Sequence, residues 1–322
     1  MSRAGLVATL AVVAAALVAP LWLDPQGYPL RVLTLVLLFA AMGQAWNLIG
    51  GLGNQVSLGH AAFFGVGAYT STILLNTFGI TPWVGMFVGG ALGVLMGLVI
   101  GYPTFRLSGH YFALATLAAG EVMRIIANSW RDLTGGPRGI SVPLLGESAT
   151  MFQFRLTTPY YYIMFAALLL VSLVFWRIER GRTGYFLRAL KEHQDAAEVI
   201  GVDTFQVKLR VMLLSAFLTA LLGTLYAQFQ YFFDPDSVFG VASVSVRMAL
   251  IAIVGGVGAL WGPMIGAAFL VPAQEIANTL LGNSAAGISQ LFYGVLLVAV
   301  ILVNPRGLIA LGHGAINWML RR

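Results

Sequence analysis

YFLRALKEHQDAAEVIG, Tyr185 to Gly201, lies within Arg177–Arg210, the one long polar interruption of an otherwise apolar sequence. Its pattern predicts a short amphipathic helix. Thr183 is placed to cap the start, and Gly201 to close the end in a left-handed turn. Arg188 with Glu192, and Lys191 with Asp195, are spaced i, i+4 for pairing on one exposed face. Phe186, Leu190, Ala197 and Ile200 leave an apolar stripe on another. Two roles fit such a helix between apolar stretches: docking to a soluble partner, or lying on the bilayer surface.

Outward from that stretch, 59% of the 322 residues are hydrophobic and 9% charged, with a mean hydropathy of +0.86. Soluble domains carry roughly a quarter charged residues, so the composition is that of an integral membrane protein. The net charge of +6 is no sign of nucleic-acid binding, because the basic residues sit in loops where they set topology. With no cysteine, disulfides and thiol chemistry are excluded. His60, His110, His193 and His313 are too scattered for a metal site.

Apolar stretches near the ~20 residues needed to span a bilayer fall at 4–23, 30–49, 57–76, 83–101, 109–128, 159–176, 209–232, 244–258, 262–281 and 287–303. The expectation is an all-α integral membrane protein of about ten transmembrane helices, forming a single transmembrane domain over 1–322. The first stretch has the basic start of a signal peptide but reaches spanning length, and is expected to be retained. With the N-terminus inside, Arg3, Arg106, Arg177, Arg180, Arg182, Arg188, Lys191, Lys208, Arg210, Arg306, Arg321 and Arg322 face the cytoplasm. Only Arg131, Arg138 and Arg155 fall in outer loops. That bias predicts cytoplasmic termini, a cytoplasmic loop at 177–210 and an outer loop at 128–159.

Gly50-Gly51-Leu52-Gly53 and Gly255-Gly256-Val257-Gly258 interrupt apolar segments. Irregular backbone at membrane depth must be buried in protein or line a cavity. The surrounding stretches, GGLGNQVSLGHAAF (Gly50–Phe63) and GGVGALWGPMIGAAF (Gly255–Phe269), align with one gap, which suggests an internal repeat of the kind transporters use. Asn54, Gln55, Ser57 and His60 cluster beside the first break, either to bond the freed backbone or to border a pathway. Glu121 and Arg124 lie i, i+3 in the fifth stretch, about 18 Å along a helix starting near Gly109. They read as a self-neutralising pair or as groups facing a zwitterionic substrate. Glu275 has no partner in its own helix; Arg247 is one available elsewhere. No Walker A loop, GxSxG, HExxH or acid–base carboxylate pair occurs.

GGLGNQVSLGHAAFFGVGAYTS (Gly50–Ser71), LSGHYFALATLAAGEVMRII (Leu107–Ile126), LTGGPRGISVP (Leu133–Pro143) and GRTGYFLRALKEHQDAAEVIGVDTFQVKL (Gly181–Leu209) resemble the membrane permeases of branched-chain amino acid ABC importers, the LivM type. The resemblance covers most of the chain, in order. Asp195-Ala196-Ala197-Glu198-Val199-Ile200-Gly201 is similar to the EAA-x3-G signature of such permeases, with Asp in place of Glu. It implies a coupling helix seated on a separate ATPase, with Arg188, Asp195, Ala196, Ala197 and Gly201 at the contact. It further implies a second related permease, two cytoplasmic ATPase subunits carrying ATP and Mg, and an extracytoplasmic solute-binding protein docking near Thr134, Gly135, Gly136 and Arg138. No cofactor is expected in this chain, and the bacterial inner membrane is its expected location. Uptake of branched-chain or other hydrophobic amino acids is the implied function. A machine for urea or short amides is a variant of it, and an ion-coupled secondary transporter the alternative of another class.

Overall fold

The computed structural model describes residues 3–107 and 109–281 and the separate positions 291, 294, 295, 298–300, 302 and 307–309, with side chains described from residue 13 to 280 and at those positions. The described residues are mostly helical. α1 (Arg3–Trp22) precedes α2 (Tyr28–Asn47), which opens on Pro29 and runs into a π-helical turn, Leu48–Leu52. An extended stretch then leads to α3 (His60–Phe78), α4 (Pro82–Thr104) and α5 (His110–Ser129). A short α6 (Arg131–Thr134) and strand β1 (Ile140–Ser141) begin the loop before α7 (Thr157–Arg180). Next come α8 (Arg182–Glu192), α9 (Gln194–Val199) and the 27-residue α10 (Thr204–Gln230). Strand β2 (Phe232–Phe233), α11 (Pro235–Val238), a π-helical run (Val241–Val246), α12 (Arg247–Gly255) and α13 (Gly262–Leu281) complete the order.

Six of the described helical runs are long and apolar enough to cross a membrane: Tyr28–Leu52, His60–Phe78, Pro82–Thr104, Thr157–Arg180, Thr204–Gln230 and Pro235–Gly255. The expected figure of about ten is not reached among the described residues. Helices do stand at 109–128 and 262–281, but α5 carries Glu121, Arg124 and Asn128, and α13 carries Gln274, Glu275 and Asn278. Those polar groups lower the hydropathy of helices that otherwise have the length. In α1 the apolar part with described side chains is only Val13–Trp22. The stretch 287–303 falls largely, and Arg306, His313, Arg321 and Arg322 wholly, outside the described residues.

The centre of the bundle is α2, buried without interruption from Thr34 to Asn47. The tightest packing is between α3, α4 and α10. α4 presents buried Gly85, Gly89, Gly93, Gly97 and Gly101, four residues apart and hence on one face. A methyl group at Gly93 would lie 2.7 Å from Ala220 Cβ. Between α3 and α10 the approach is closer still: a Cβ at Gly67 would sit 1.9 Å from the Ala220 carbonyl oxygen, and one at Gly223 2.1 Å from that of Phe64. Lipid supplies little hydrophobic force between helices, so such small-residue contacts carry the association through dispersion. Thr224 adds a hydrogen bond to the Gly67 carbonyl at 3.0 Å.

Between the two helix-flanking loops, α10 is a continuous rod about 40 Å long. At its far end β1 pairs antiparallel with β2, Ile140 opposite Phe233. The loop at 128–159 is folded rather than merely solvated. Gln153, buried, donates to the Pro143 carbonyl at 2.6 Å and accepts from the Leu145 amide at 2.8 Å. Trp83 and Thr81 at the start of α4 hold the Ala149 and Thr150 carbonyls.

Gly67→Val should force α3 and α10 apart, at a cost of roughly 3 kcal/mol or more for overpacking. The measurement is the thermal unfolding midpoint of the detergent-purified chain, expected to fall by several degrees; an unchanged midpoint would contradict the close α3–α10 approach.

Candidate functional site

The first glycine interruption becomes a junction between the two halves of the chain. Asn47, fully buried at the end of α2, accepts from the Gly258 amide at 2.8 Å and donates to the Ala259 carbonyl at 3.1 Å. Its side-chain amide thus pairs with the backbone of the second glycine interruption. A Cβ at Gly51 would meet both partners of this contact, Asn47 Oδ1 at 2.1 Å and Gly258 N at 2.6 Å. The two similar glycine stretches therefore meet in space.

Beside this junction the polar cluster divides. Ser57 and His60 are fully buried, whereas Asn54 is exposed with a left-handed φ of 51° and Gln55 is half-buried. Ser215 of α10 donates to the Ala45 carbonyl at 2.6 Å and lies 2.9 Å from His60 Nε2. Since the Ser215 proton is committed to Ala45, His60 Nε2 carries the proton of that contact. His60 Nδ1 lies 3.1 Å from Ser57 Oγ, and the Trp46 indole donates to the Ser57 carbonyl at 2.7 Å. Ser245 of the π-helical run accepts from the Ala61 amide, and Thr116 of α5 from the Leu58 amide. His60 and Ser57 thus tie α3 to α2 and α10. Asn47, Thr116, Ser215 and Ser245 are the members that sequence reasoning missed; their one signal was polarity inside apolar segments.

A second polar group opens to the surface. Arg124 contacts Glu121 at 2.5 Å and also Asp236 at 2.5 Å, and Asn128 donates to the same Asp236 oxygen at 3.1 Å. The anticipated Glu121–Arg124 pair is therefore a triad with one excess negative charge. Asp236 belongs to α11, which is positioned by a capping box between Asp234 and Ser237. The triad lines an open cleft of about 520 Å³ whose other wall is Leu117, Val241, Val246 and Ser243. Glu275 is placed elsewhere: it accepts from the Tyr28 hydroxyl at 3.1 Å. Arg247, considered as its partner, has its guanidinium 3.7 Å from the centre of the Phe39 ring instead.

In the outer loop, Thr134 is buried and donates to the Ala127 and Trp130 carbonyls at 2.5 and 2.7 Å. Gly135 and Gly136 adopt left-handed φ of 74° and 56°. These three shape the turn, while Arg138 is the exposed member of the set.

At the opposite end, the helix expected over Tyr185–Gly201 is two helices, broken at extended His193 (φ −153°, ψ 109°). Gly181, not Thr183, precedes the first turn. Neither anticipated i, i+4 ion pair forms; among the described residues, the ion pairs are those of Arg124. Arg188 instead donates to the Glu179 carbonyl at 2.8 Å, satisfying the end of α7, and stacks over Tyr185. The break turns the apolar stripe. Leu187, Leu190 and Ala197 are buried, whereas Val199 and Ile200 are 87% and 76% exposed, beside exposed Asp195 and Ala196. Gly201 closes α9 with φ 89°, as expected of it. Glu198 accepts from Thr204 at 2.6 Å and Gln194 at 3.1 Å, which holds its carboxyl below the usual range.

The family model described as "Branched-chain amino acid transport system / permease component" matches residues 28–301. The chain is 29% identical over 298 residues to the high-affinity branched-chain amino acid transport system permease protein LivM of Escherichia coli (strain K12), covering 86% of this chain and 68% of that one. It is 24% identical over 286 residues to the corresponding LivH protein of Salmonella typhimurium, with 84% and 91% covered. A solved structure, PsaBC from Streptococcus pneumoniae in complex with Fab, is similar at a TM-score of 0.44 and 16% identity, over 84% of this chain and 89% of that one; at this level it bears on neither fold nor function.

Asn47→Leu should leave the part-buried Gly258 amide and Ala259 carbonyl without their partner, at up to roughly 1–3 kcal/mol for each group. Limited proteolysis of the purified chain should then cut faster near 255–260; an unchanged cleavage rate would count against the junction.

Proposed function

The chain belongs to the family of permease components of branched-chain amino acid transport systems, and on that premise we propose that it forms half of the membrane pathway of an ABC importer for branched-chain or other hydrophobic amino acids. As a member of a family of transport components it is a permease and not an enzyme. Its similarity to both LivM and LivH supports a second, related permease as its pair. In this reading two cytoplasmic ATPase subunits bind ATP and Mg and do the hydrolysis, and an extracytoplasmic binding protein delivers the substrate near Arg138. The protein resides in the bacterial inner membrane with both termini in the cytoplasm, as the basic loops favour.

The observation that carries the docking assignment is the outer edge of α9. Ala196, Val199 and Ile200 expose apolar surface in a polar loop, with Asp195 beside them, while Ala197 is 2% exposed. A large apolar group left in water costs about 1.5–3 kcal/mol relative to burial, which favours a protein partner over free solvent. Ala197 serves by its small size, letting α9 lie against the base of α10. Arg188 supports the loop from behind through the Glu179 carbonyl. Movement of α9 with the ATPases then alternates access to the pathway. On that pathway the Glu121–Arg124–Asp236 cleft suits an amino acid with an apolar side chain: its excess negative charge for the ammonium, and Leu117 and Val241 for the side chain.

The double variant Val199→Asp, Ile200→Asp should insert normally yet purify without the ATPase subunits, with uptake at background in vesicles loaded with ATP. Retained subunits and uptake would overturn the docking assignment. Uptake of radiolabelled leucine by the reconstituted importer tests the substrate class; transport of urea or acetamide but not leucine would replace it. Asp236→Asn and Glu121→Gln are each expected to slow leucine uptake roughly tenfold, the scale of one charge-assisted hydrogen bond, at unchanged membrane levels. Wild-type uptake in both would remove the triad from the pathway.

A further inference from the structure

Lys208 stands in the sequence as one more cationic residue near a helix start, where a lysine ordinarily extends its stem and keeps the ammonium in water. Here it is 5% exposed. Burying an ammonium is costly unless it is hydrogen-bonded and electrically compensated. Its Nζ donates to Gln194 Oε1 at 2.7 Å. Gln194 in turn donates to Glu198 Oε1 at 3.1 Å, and that same oxygen accepts from Thr204 at 2.6 Å. Gln194 and Glu198 are i, i+4 on α9; Thr204 and Lys208 are i, i+4 on α10. Each pair occupies one face of its helix, and the two faces meet. The four side chains form a hydrogen-bonded polar clamp, Lys208–Gln194–Glu198–Thr204, between the exposed docking edge and the base of the long helix.

What the clamp grips leads directly to the interior. From Lys208 to Ser215 is seven residues, about 10 Å of helix, and Ser215 holds both the Ala45 carbonyl and His60. The sequence of α10 from Thr204 to Leu222 contains neither Pro nor Gly, the usual sites of helix kinking. A displacement of α9 applied to this rod therefore reaches the end of α2, where Asn47 joins the two glycine interruptions, instead of being absorbed at the loop.

We infer that Lys208 is a positioning residue for transport: through Gln194 and Glu198 it passes the motion of the docking helix into α10 and the buried junction. This rests on the importer reading above. It separates two roles that a docking loop combines, since the edge at Val199 and Ile200 holds the ATPase while the clamp behind it transmits.

The test is the ratio of leucine imported to ATP hydrolysed, measured on the full importer in proteoliposomes, together with co-purification of the ATPase subunits. Lys208→Met keeps the apolar stem and deletes the donor. It is expected to retain the ATPase subunits and hydrolysis, while the transport-to-hydrolysis ratio falls roughly tenfold, within the range that coupling between two sites spans. Lys208→Arg, which restores a donor, is expected to recover most of the ratio. Gln194→Ala breaks the same link from the exposed side while keeping Lys208 itself in place, and should uncouple in the same way, giving a second answer where the substitution at Lys208 lowers expression. A wild-type ratio in Lys208→Met or Gln194→Ala would overturn the inference. So would loss of the ATPase subunits from both variants, since the clamp would then only shape the docking surface. An unaltered chain that purifies without any ATPase would overturn the importer reading itself.

Discussion

Backbone that leaves the helical hydrogen-bond pattern inside an apolar bundle has no water to turn to, and every unpaired N–H or C=O there is expensive. Two glycine interruptions create that demand in this protein, and Asn47 meets part of it for the second one. Its side-chain amide has the same donor and acceptor as a peptide group, so it pairs with Gly258 and Ala259 as a neighbouring strand would. Trp46, one residue earlier, pairs with the Ser57 carbonyl beyond the first interruption. The end of α2 is thus the point at which both irregular segments are held, and the helix is buried from Thr34 to Asn47 by packing against α7, α10, α12 and α13.

Around this centre the packing is governed by what is missing from side chains. The stripe of glycines on α4 and the Gly67 and Gly223 contacts bring helix backbones together where any Cβ would collide. Close approach increases dispersion contact, the main attraction left once lipid has replaced water. Tight backbone packing leaves α3, α4 and α10 as one unit. The same arrangement makes α10 suitable for carrying displacement between the clamp at Lys208 and the network at Ser215.

Charged groups are distributed by a different rule. Arg124 sits between two carboxylates at the mouth of a cleft, so its charge is compensated within the chain while one negative charge is left over. Lys208 and Glu198 are compensated through an intervening glutamine. Arg188 is spent on the Glu179 carbonyl at the end of α7 and the Gly184 carbonyl one turn back in α8. None of these uses the i, i+4 ion pairs that the local spacing offered, because a buried or helix-terminal acceptor gives a stronger hydrogen bond than an exposed pair screened by water.

From the residues alone came the membrane class, the positions of the helices, the polar loop, the two glycine interruptions and the family resemblance. Each depends on local quantities, namely transfer free energy, turn preference and motif spacing. The expected count of about ten was not reached among the described residues: α5 and α13 have the length but carry polar groups that lower their hydropathy, and two further stretches lie partly outside the described residues. The break at His193 was also hidden: a helical pattern continues through it, and only packing of Leu190 and Ala197 against the bundle turns α9 and leaves Val199 and Ile200 outside. Asp236 joins Arg124 across 112 residues, and Gly258 joins Asn47 across 211. Neither pairing has a local signature, since an isolated Asp or Asn in a sequence carries no record of the backbone that folding will bring to it. Sequence therefore determined the membrane class and where the apolar segments lie; tertiary structure decided which polar groups meet between them, because a buried hydrogen bond depends on positions set by distant parts of the chain.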